Sequence, residues 1–142
     1  MDTYEALKLD NQLCFPLYAA AREIIKQYNE PLSSLDLTYT QYITMMVLWE
    51  QNSISTKELG KKLYLDSGTL TPVLKCLEKK GFLTRARDKS DERMVICTLT
   101  HQGEALKEKA LAVPASVSQC VKLNADEAKT LYKLLYKLLD TI

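Results

Sequence analysis

Apolar residues recur at helical spacing along most of this chain and at strand spacing in one short region. Over 10–28, Leu13, Leu17, Ala20, Ala21, Ile24, Ile25 and Tyr28 fall at three- and four-residue steps, which predicts a helix capped by Asp10 or Asn11. Pro16 suits it only in the first turn or at a kink. The run NEPLSS at 29–34 then predicts a break. Thr38 or Thr40 caps a second helix to Glu50, in which Tyr42, Ile43, Met45, Met46, Val47 and Trp49 surround most of the circumference, as in a buried helix. After a turn at 51–55, Ser55 caps a short third helix over 56–65. Glu58 completes a capping box there, and Leu59 and Leu63 face inward.

The stretch 65–98 changes period midway. Asp66 and Ser67 are N-cap residue types, and Leu70, Val73, Leu74 and Leu77 form one buried helical face that Gly81 ends. Segments 82–87 and 94–98 then carry β-branched and apolar residues around the polar tip RDKSDER, which predicts a two-stranded hairpin. A helix exposing Ser67, Thr69, Thr71 and Lys75 beside a ribbon tipped with cations suits a nucleic-acid duplex. The reading is a winged helix-turn-helix: mainly α, with a small β-hairpin wing (α+β). A further helix restarts near Thr100 and bends near Pro114. Asn124 then caps a last helix striped by Leu131, Leu134, Leu135, Leu138, Leu139 and Ile142. That stripe is too apolar for a lone terminal helix, so the first and the last two helices are expected to pack against a second copy. The expectation is one domain over 1–142, with a DNA-binding lobe at about 36–99 and N- and C-terminal dimerisation helices at about 8–35 and 100–142.

Charge adds a direction to this picture. The chain is +1 overall, but residues 57–93 hold ten Lys or Arg against six Asp or Glu, and the remainder holds nine against twelve. Segregated positive charge marks a localised phosphate-binding face. No apolar run approaches the roughly 18 residues of a membrane span, and the polar start is unlike a signal peptide, so a cytoplasmic protein with no membrane partner is expected. Cys14, Cys76, Cys97 and Cys120 are scattered without a CxxC pair, and His101 is the one histidine. Neither a zinc cluster nor a disulfide framework is indicated, and no cofactor is implied.

Residues 63–85, LYLDSGTLTPVLKCLEKKGFLTR, with DER at 91–93 and LTHQG at 99–103, resemble the MarR family of dimeric winged-helix repressors. NQLCF at 11–15, KQY at 26–28 and LTYTQY at 37–42 are similar to its organic hydroperoxide resistance regulators. The likeness runs from about residue 8 to residue 114. In a helix-turn-helix the second helix enters the major groove, which here presents Ser67, Gly68, Thr69, Thr71 and Lys75 to base edges, with Lys57, Lys61 or Lys62 at phosphates. The resemblance further implies that Arg93 at the wing tip enters the minor groove and that Asp91 orients its guanidinium. Arg85, Arg87 and Lys89 are weaker phosphate candidates. A twofold dimer would read a pseudo-palindromic operator on double-stranded DNA whose half-sites lie about one helical turn apart.

Composition alone makes Cys14, between Leu13 and Phe15, a buried and inert thiol. The resemblance makes it the group that attacks the peroxide, hydrogen-bonded by Tyr28 and Tyr39. The thiolate is the reactive form of cysteine, and helix starts favour it. Cys14 and Tyr28 are fourteen residues apart, or roughly 21 Å along a continuous helix, so contact requires the antiparallel first helix of a partner subunit. Tyr18, one turn from Cys14, is expected in the same pocket. Oxidation would give a sulfenic acid that condenses with a thiol. Some such regulators carry a second cysteine in the C-terminal region, which makes Cys120 the candidate resolving thiol, with a low-molecular-weight thiol as the other route. Cys76 and Cys97 are read as structural, and His101 as a surface or capping residue.

The leading expectation is a dimeric repressor, not an enzyme, that senses organic hydroperoxides through Cys14 and then releases its operator. The rivals are a MarR-type repressor released by a small aromatic or antibiotic ligand, a thiol peroxidase, and a winged helix that serves protein contacts alone.

Overall fold

The computed structural model describes residues 3–142. Two short 3-10 turns, Glu5–Leu7 and Leu9–Asn11, precede helix α1 (Cys14–Gln27). The helix starts later than the apolar pattern predicts. Asn11 and Gln12 turn their side-chain amides back to the carbonyls of Glu5, Ala6 and Lys8, so neither Asp10 nor Asn11 caps it, and Leu13 holds the N-cap position without a side-chain bond. Pro16 falls in the first turn, where its missing N–H costs nothing. The predicted break at 29–34 is instead a short helix, α2 (Asn29–Ser33). Tyr28 keeps helical dihedrals across the junction, and Pro31 again sits in a first turn.

Helix α3 (Tyr39–Gln51) opens on a capping box: Thr38 Oγ1 accepts from the Gln41 N–H, and Gln41 Oε1 accepts from the Thr38 N–H. Strand β1 (Ser53–Ser55) leads directly into α4 (Thr56–Leu63). Ser55 caps α4 through the Glu58 N–H, but the expected reciprocal bond is absent, because the Glu58 carboxylate pairs with Lys61 at 3.5 Å. Helix α5 (Ser67–Lys79) is capped by Asp66, which accepts from the Thr69 N–H at 2.7 Å. Strands β2 (Leu83–Arg87) and β3 (Val95–Leu99) follow, then α6 (His101–Ala110), α7 (Ala112–Ser118) and α8 (Ala125–Thr141). Thr100 caps α6, and Asn124 with Glu127 builds a capping box on α8. Leu111 keeps helical dihedrals at the break between α6 and α7, and Pro114, which has no N–H for the Ala110 carbonyl, falls in the first turn of α7 rather than at that break.

The expected two-stranded ribbon is a three-stranded antiparallel sheet in the order β1-β3-β2, with Ile54 and Arg85 both opposite Cys97. Three residues are too few to show alternation, and the partner of β1 lies more than forty residues ahead, so the strand leaves no local signal. The core gathers Leu32, Met45, Leu48, Leu59, Leu70, Leu74, Leu77, Leu83 and Cys97 from α2 to α5 and the sheet. Each leucine so buried contributes about 1.5–3 kcal/mol. Both inner turns close with paired carbonyls. Gly81 (φ 86°) and Phe82 return their N–H groups to Glu78 and Leu77, and Tyr64 (φ 55°) and Leu65 do the same to Lys61 and Gly60. A tyrosine in that left-handed position costs about 1–2 kcal/mol relative to glycine.

Neither α1 nor α8 contains a buried residue. Leu131, Leu134 and Leu138 are 43%, 53% and 43% exposed and Leu135 and Leu139 are only half-buried, so the terminal stripe is left largely uncovered within the chain. Among the described residues no helix is long and apolar enough to cross a membrane.

Gly103 lies in α6 with its carbonyl accepting from Trp49 Nε1 at 2.8 Å. A Cβ there would sit 2.2 Å from the Phe82 carbonyl oxygen and 2.7 Å from Leu99 Cδ1. Helix propensity alone favours alanine by about 1 kcal/mol, but the clash is with backbone. Gly103→Ala is therefore expected to lower stability by about 1–3 kcal/mol, the usual range for overpacking, as read by urea unfolding.

Candidate nucleic-acid interface and thiol site

The two halves of the site stand on different parts of the fold. On the lobe, the Asp66 cap holds the first turn of α5, and Ser67, Gly68 and Thr69 are exposed along it. Hydrogen bonding from the Thr69 N–H first, then from the Thr69 side chain, holds the Asp66 carboxyl below the ordinary range. Lys75 is exposed two turns on, while Thr71 is half-buried and its hydroxyl donates to the Ser67 carbonyl at 2.7 Å. Pro72 lies inside α5 and has no N–H for the Gly68 carbonyl. Lys57, Lys61 and Lys62 are exposed on α4. A cleft of about 750 Å³ separates α4 and α5 from the wing, with Lys57, Lys61, Tyr64, Arg85 and Arg93 among its walls.

The wing tip is built around one ion pair. Arg93 points its Nε at Asp91 Oδ1 (3.0 Å) and an Nη at Oδ2 (3.2 Å), and its backbone N–H also reaches Oδ1. This fork fixes the guanidinium while leaving the Arg93 side chain 89% exposed. Its hydrogen bonds hold the Asp91 carboxyl below the ordinary carboxylate range. The other cations differ in what they do. Arg87 donates to the Glu92 carbonyl at 2.7 Å and so braces the tip. Arg85 turns back onto Glu78 of α5, with its guanidinium at 3.1 Å and its backbone N–H also on that carboxylate; at 24% exposed, it fastens the wing to the helix and is not offered to a phosphate. Lys89 is exposed at the tip.

At the other half, Cys14 is the first residue of α1 and is exposed. Tyr28 stands at the far end of the same helix, with its ring centroid 4.8 Å from Tyr39 and 5.8 Å from Tyr42. The chain thus joins the two expected phenols and adds a third, but keeps them a helix length from the sulfur. In the sequence Tyr42 reads as a buried apolar residue; its place in the cluster follows from its three-residue offset from Tyr39 on α3. Burial first, then Tyr28, pushes the Tyr39 hydroxyl up, and burial with both neighbours does the same at Tyr42, so these phenols stay protonated and can donate. Tyr18 is exposed and engaged with Arg22, which lies 5.2 Å over its ring. Cys120 is exposed just beyond α7, whereas Cys97 is fully buried, which pushes its thiol up, and Cys76 is half-buried. His101 is exposed at the start of α6, where Thr100 is the cap. No group of side chains able to hold a metal ion occurs among the described residues.

Residues 26–110 match the family described as Transcriptional regulator SarA/Rot. The chain belongs to this family. It is 46% identical to an organic hydroperoxide resistance transcriptional regulator of Bacillus subtilis over 139 residues, which span 98% of this chain and 95% of that one. Overoxidized AbfR bound to DNA superposes with a TM-score of 0.78 at 37% identity, covering 99% of this chain and 98% of the other; AbfR is a protein of Staphylococcus epidermidis. A mutant MarR from Escherichia coli complexed with operator DNA superposes with a TM-score of 0.83 at 30% identity, over 98% and 99% of the two chains. The winged helix-turn-helix expected from the motifs is thus the fold of this SarA/Rot regulator, with one more strand than the pattern showed.

Both perturbed carboxylates contribute stability that is present above the ordinary Asp range, near pH 4, and is lost progressively as pH falls from there through their lowered folded-state values. Asp66→Ala is expected to lower the melting temperature at pH 7 and to lower it less at about pH 3. Asp66→Asn, which keeps the acceptor, should stay near wild type at pH 7 and lose this part of the acid dependence. Melts at the two pH values check both outcomes.

Proposed function

We propose that this SarA/Rot regulator is a dimeric, DNA-binding repressor that senses organic hydroperoxides through Cys14 and then leaves its operator. The observation that carries the reading is the layout of α1. Its exposed Cys14 and its Tyr28–Tyr39 pair stand at opposite ends of a helix with no buried residue. A second copy of α1 running antiparallel would bring each sulfur to the other chain's phenols and cover apolar side chains of both, including Leu13, Phe15 and Leu17. Such a dimer would use α8 as well, whose leucines are otherwise largely uncovered.

The chemistry is a two-electron oxidation. The Cys14 sulfur attacks the terminal peroxide oxygen, the O–O bond breaks, the organic oxygen leaves as the alcohol, and sulfur becomes a sulfenic acid. A second thiol then displaces water to form a disulfide. Cys120 is proposed for that role, with a small-molecule thiol as the alternative supply. On the DNA side, Ser67, Gly68, Thr69 and Lys75 would meet the major groove of each half-site, Arg93 the minor groove, and Lys57 or Lys61 the phosphates between. The named relatives support the reading in part: one is a hydroperoxide resistance regulator, and AbfR was captured on DNA.

Mobility shifts on the protein's own upstream DNA should show binding that an organic hydroperoxide abolishes in the wild type and not in Cys14→Ser; equal release of both proteins refutes the sensing role. Arg93→Ala is expected to weaken binding by about 1–3 kcal/mol, and Lys57→Ala to lower the salt dependence of log K by about one.

A further inference from the structure

Lys80 follows the last residue of the recognition helix α5, and its side chain is not presented to solvent as are those of Lys57, Lys61, Lys62, Lys75 and Lys79. Its ammonium donates to the Asp36 carbonyl and, at 3.1 Å, to Gln41 Oε1, and it pairs with the Asp36 carboxylate at 3.5 Å. Gln41 Oε1 is a shared acceptor, since it also takes the Thr38 N–H at 3.1 Å in the α3 capping box. Asp36 itself holds a left-handed backbone (φ 54°), a conformation that a non-glycine residue keeps only when its surroundings hold it. One cation therefore gathers the loop before α3 and the first turn of α3 onto the end of α5. Tyr39 is the first residue of that turn and rests on Tyr28.

We infer that Lys80 is the positioning residue through which the tyrosine cluster and the recognition helix move together. A shift of Tyr39 displaces the Thr38–Gln41 cap, and the ammonium bonded to that cap carries the shift to the C-terminal end of α5. That end is tied on its other side to strand β2 by Arg85 on Glu78, and the turn after it to the start of α6 by the Thr100 hydroxyl on the Gly81 carbonyl, so a push there turns helix and wing as one body. The inference rests on the thiol-sensing reading and names the contact by which sulfur chemistry would reach the DNA-facing groups.

Lys80→Met keeps the aliphatic stem and removes the donors; Lys80→Arg keeps a cation. Operator affinity of the full-length protein is measured by anisotropy of labelled upstream DNA before and after treatment with an organic hydroperoxide, and Cys14 oxidation is followed by mass spectrometry. In Lys80→Met the reduced protein should bind within about twofold of wild type, while the reduced-to-oxidised affinity ratio shrinks by about 3- to 30-fold. Cys14 should oxidise to the same extent, and Lys80→Arg should recover most of the ratio. A wild-type ratio in Lys80→Met overturns the inference, whatever happens to its melting temperature, because Lys80 is then a brace alone. Reduced oxidation of Cys14 overturns it too, by placing Lys80 in the sensor chemistry. If Lys80→Met is unfolded by circular dichroism, Lys80→Gln takes its place in the same assay. A wild type that ignores hydroperoxide defeats the sensing reading and this inference together, whereas a responsive wild type with an equally responsive Lys80→Met defeats the link alone.

Discussion

Everything that faces outward on the DNA-binding lobe is held by one leucine core closed around the inner side of α5. Leu70, Leu74 and Leu77 pack with Leu48, Leu59 and Leu83, so the recognition helix is fixed by its buried face and presents the opposite one. Hydrophobic burial is strong but has no direction, and it would leave such a helix free to slide or rotate by small amounts. Polar contacts at its two ends remove that freedom. Asp66 fixes the start; Glu78 with Arg85 and Lys80 with Gln41 fix the end against the wing and against α3. The ion pairs are half-exposed and add little stability in themselves. Their value is in setting orientation.

The same allocation of apolar surface leaves the remaining helices exposed. The chain is long enough for one core, and that core joins the lobe to α2 through Leu32 and to α6 and α7 through Leu106, Ala110 and Val113; no residue of α1 or α8 is buried in it. Two amphipathic helices with open apolar faces are stable when something covers them, and in a protein with two matching chain ends a second copy is the economical cover. The thiol lies on one of those helices. In the proposed dimer, a reactive thiol where two subunits meet would let a change at one sulfur alter how the subunits sit, which a group inside a rigid core could not do.

Much of the site is legible in the residue pattern. Ser67, Thr69 and Lys75 follow from helical phase once Leu70, Leu74 and Leu77 are read as the buried face, and Asp91 with Arg93 sits at the tip because the flanking segments alternate as strands. Other positions mislead for identifiable reasons. Arg85 reads as one more cation near the wing, yet Glu78, seven residues earlier, lies beside it only because the chain reverses at Gly81. Lys80 carries no local signal, since its acceptors, Asp36 and Gln41, are some forty residues away. Helix α2 reads as a break because a proline and two serines suggest a loop, although Pro31 falls in a first turn where it is harmless.

What the sequence determined by itself was local. Residue spacing, cap types and turn glycines set where helices and strands run and which face of each is apolar, because these depend on neighbours within a turn or two. Only the tertiary structure decided which elements share a face: that β1 joins β3, that Arg85 clamps Glu78, that Tyr42 completes the phenol cluster, and that Lys80 ties α5 to the start of α3. Such pairings depend on how the whole core closes, and a side chain forty residues distant along the chain leaves no periodic trace of the partner it will meet.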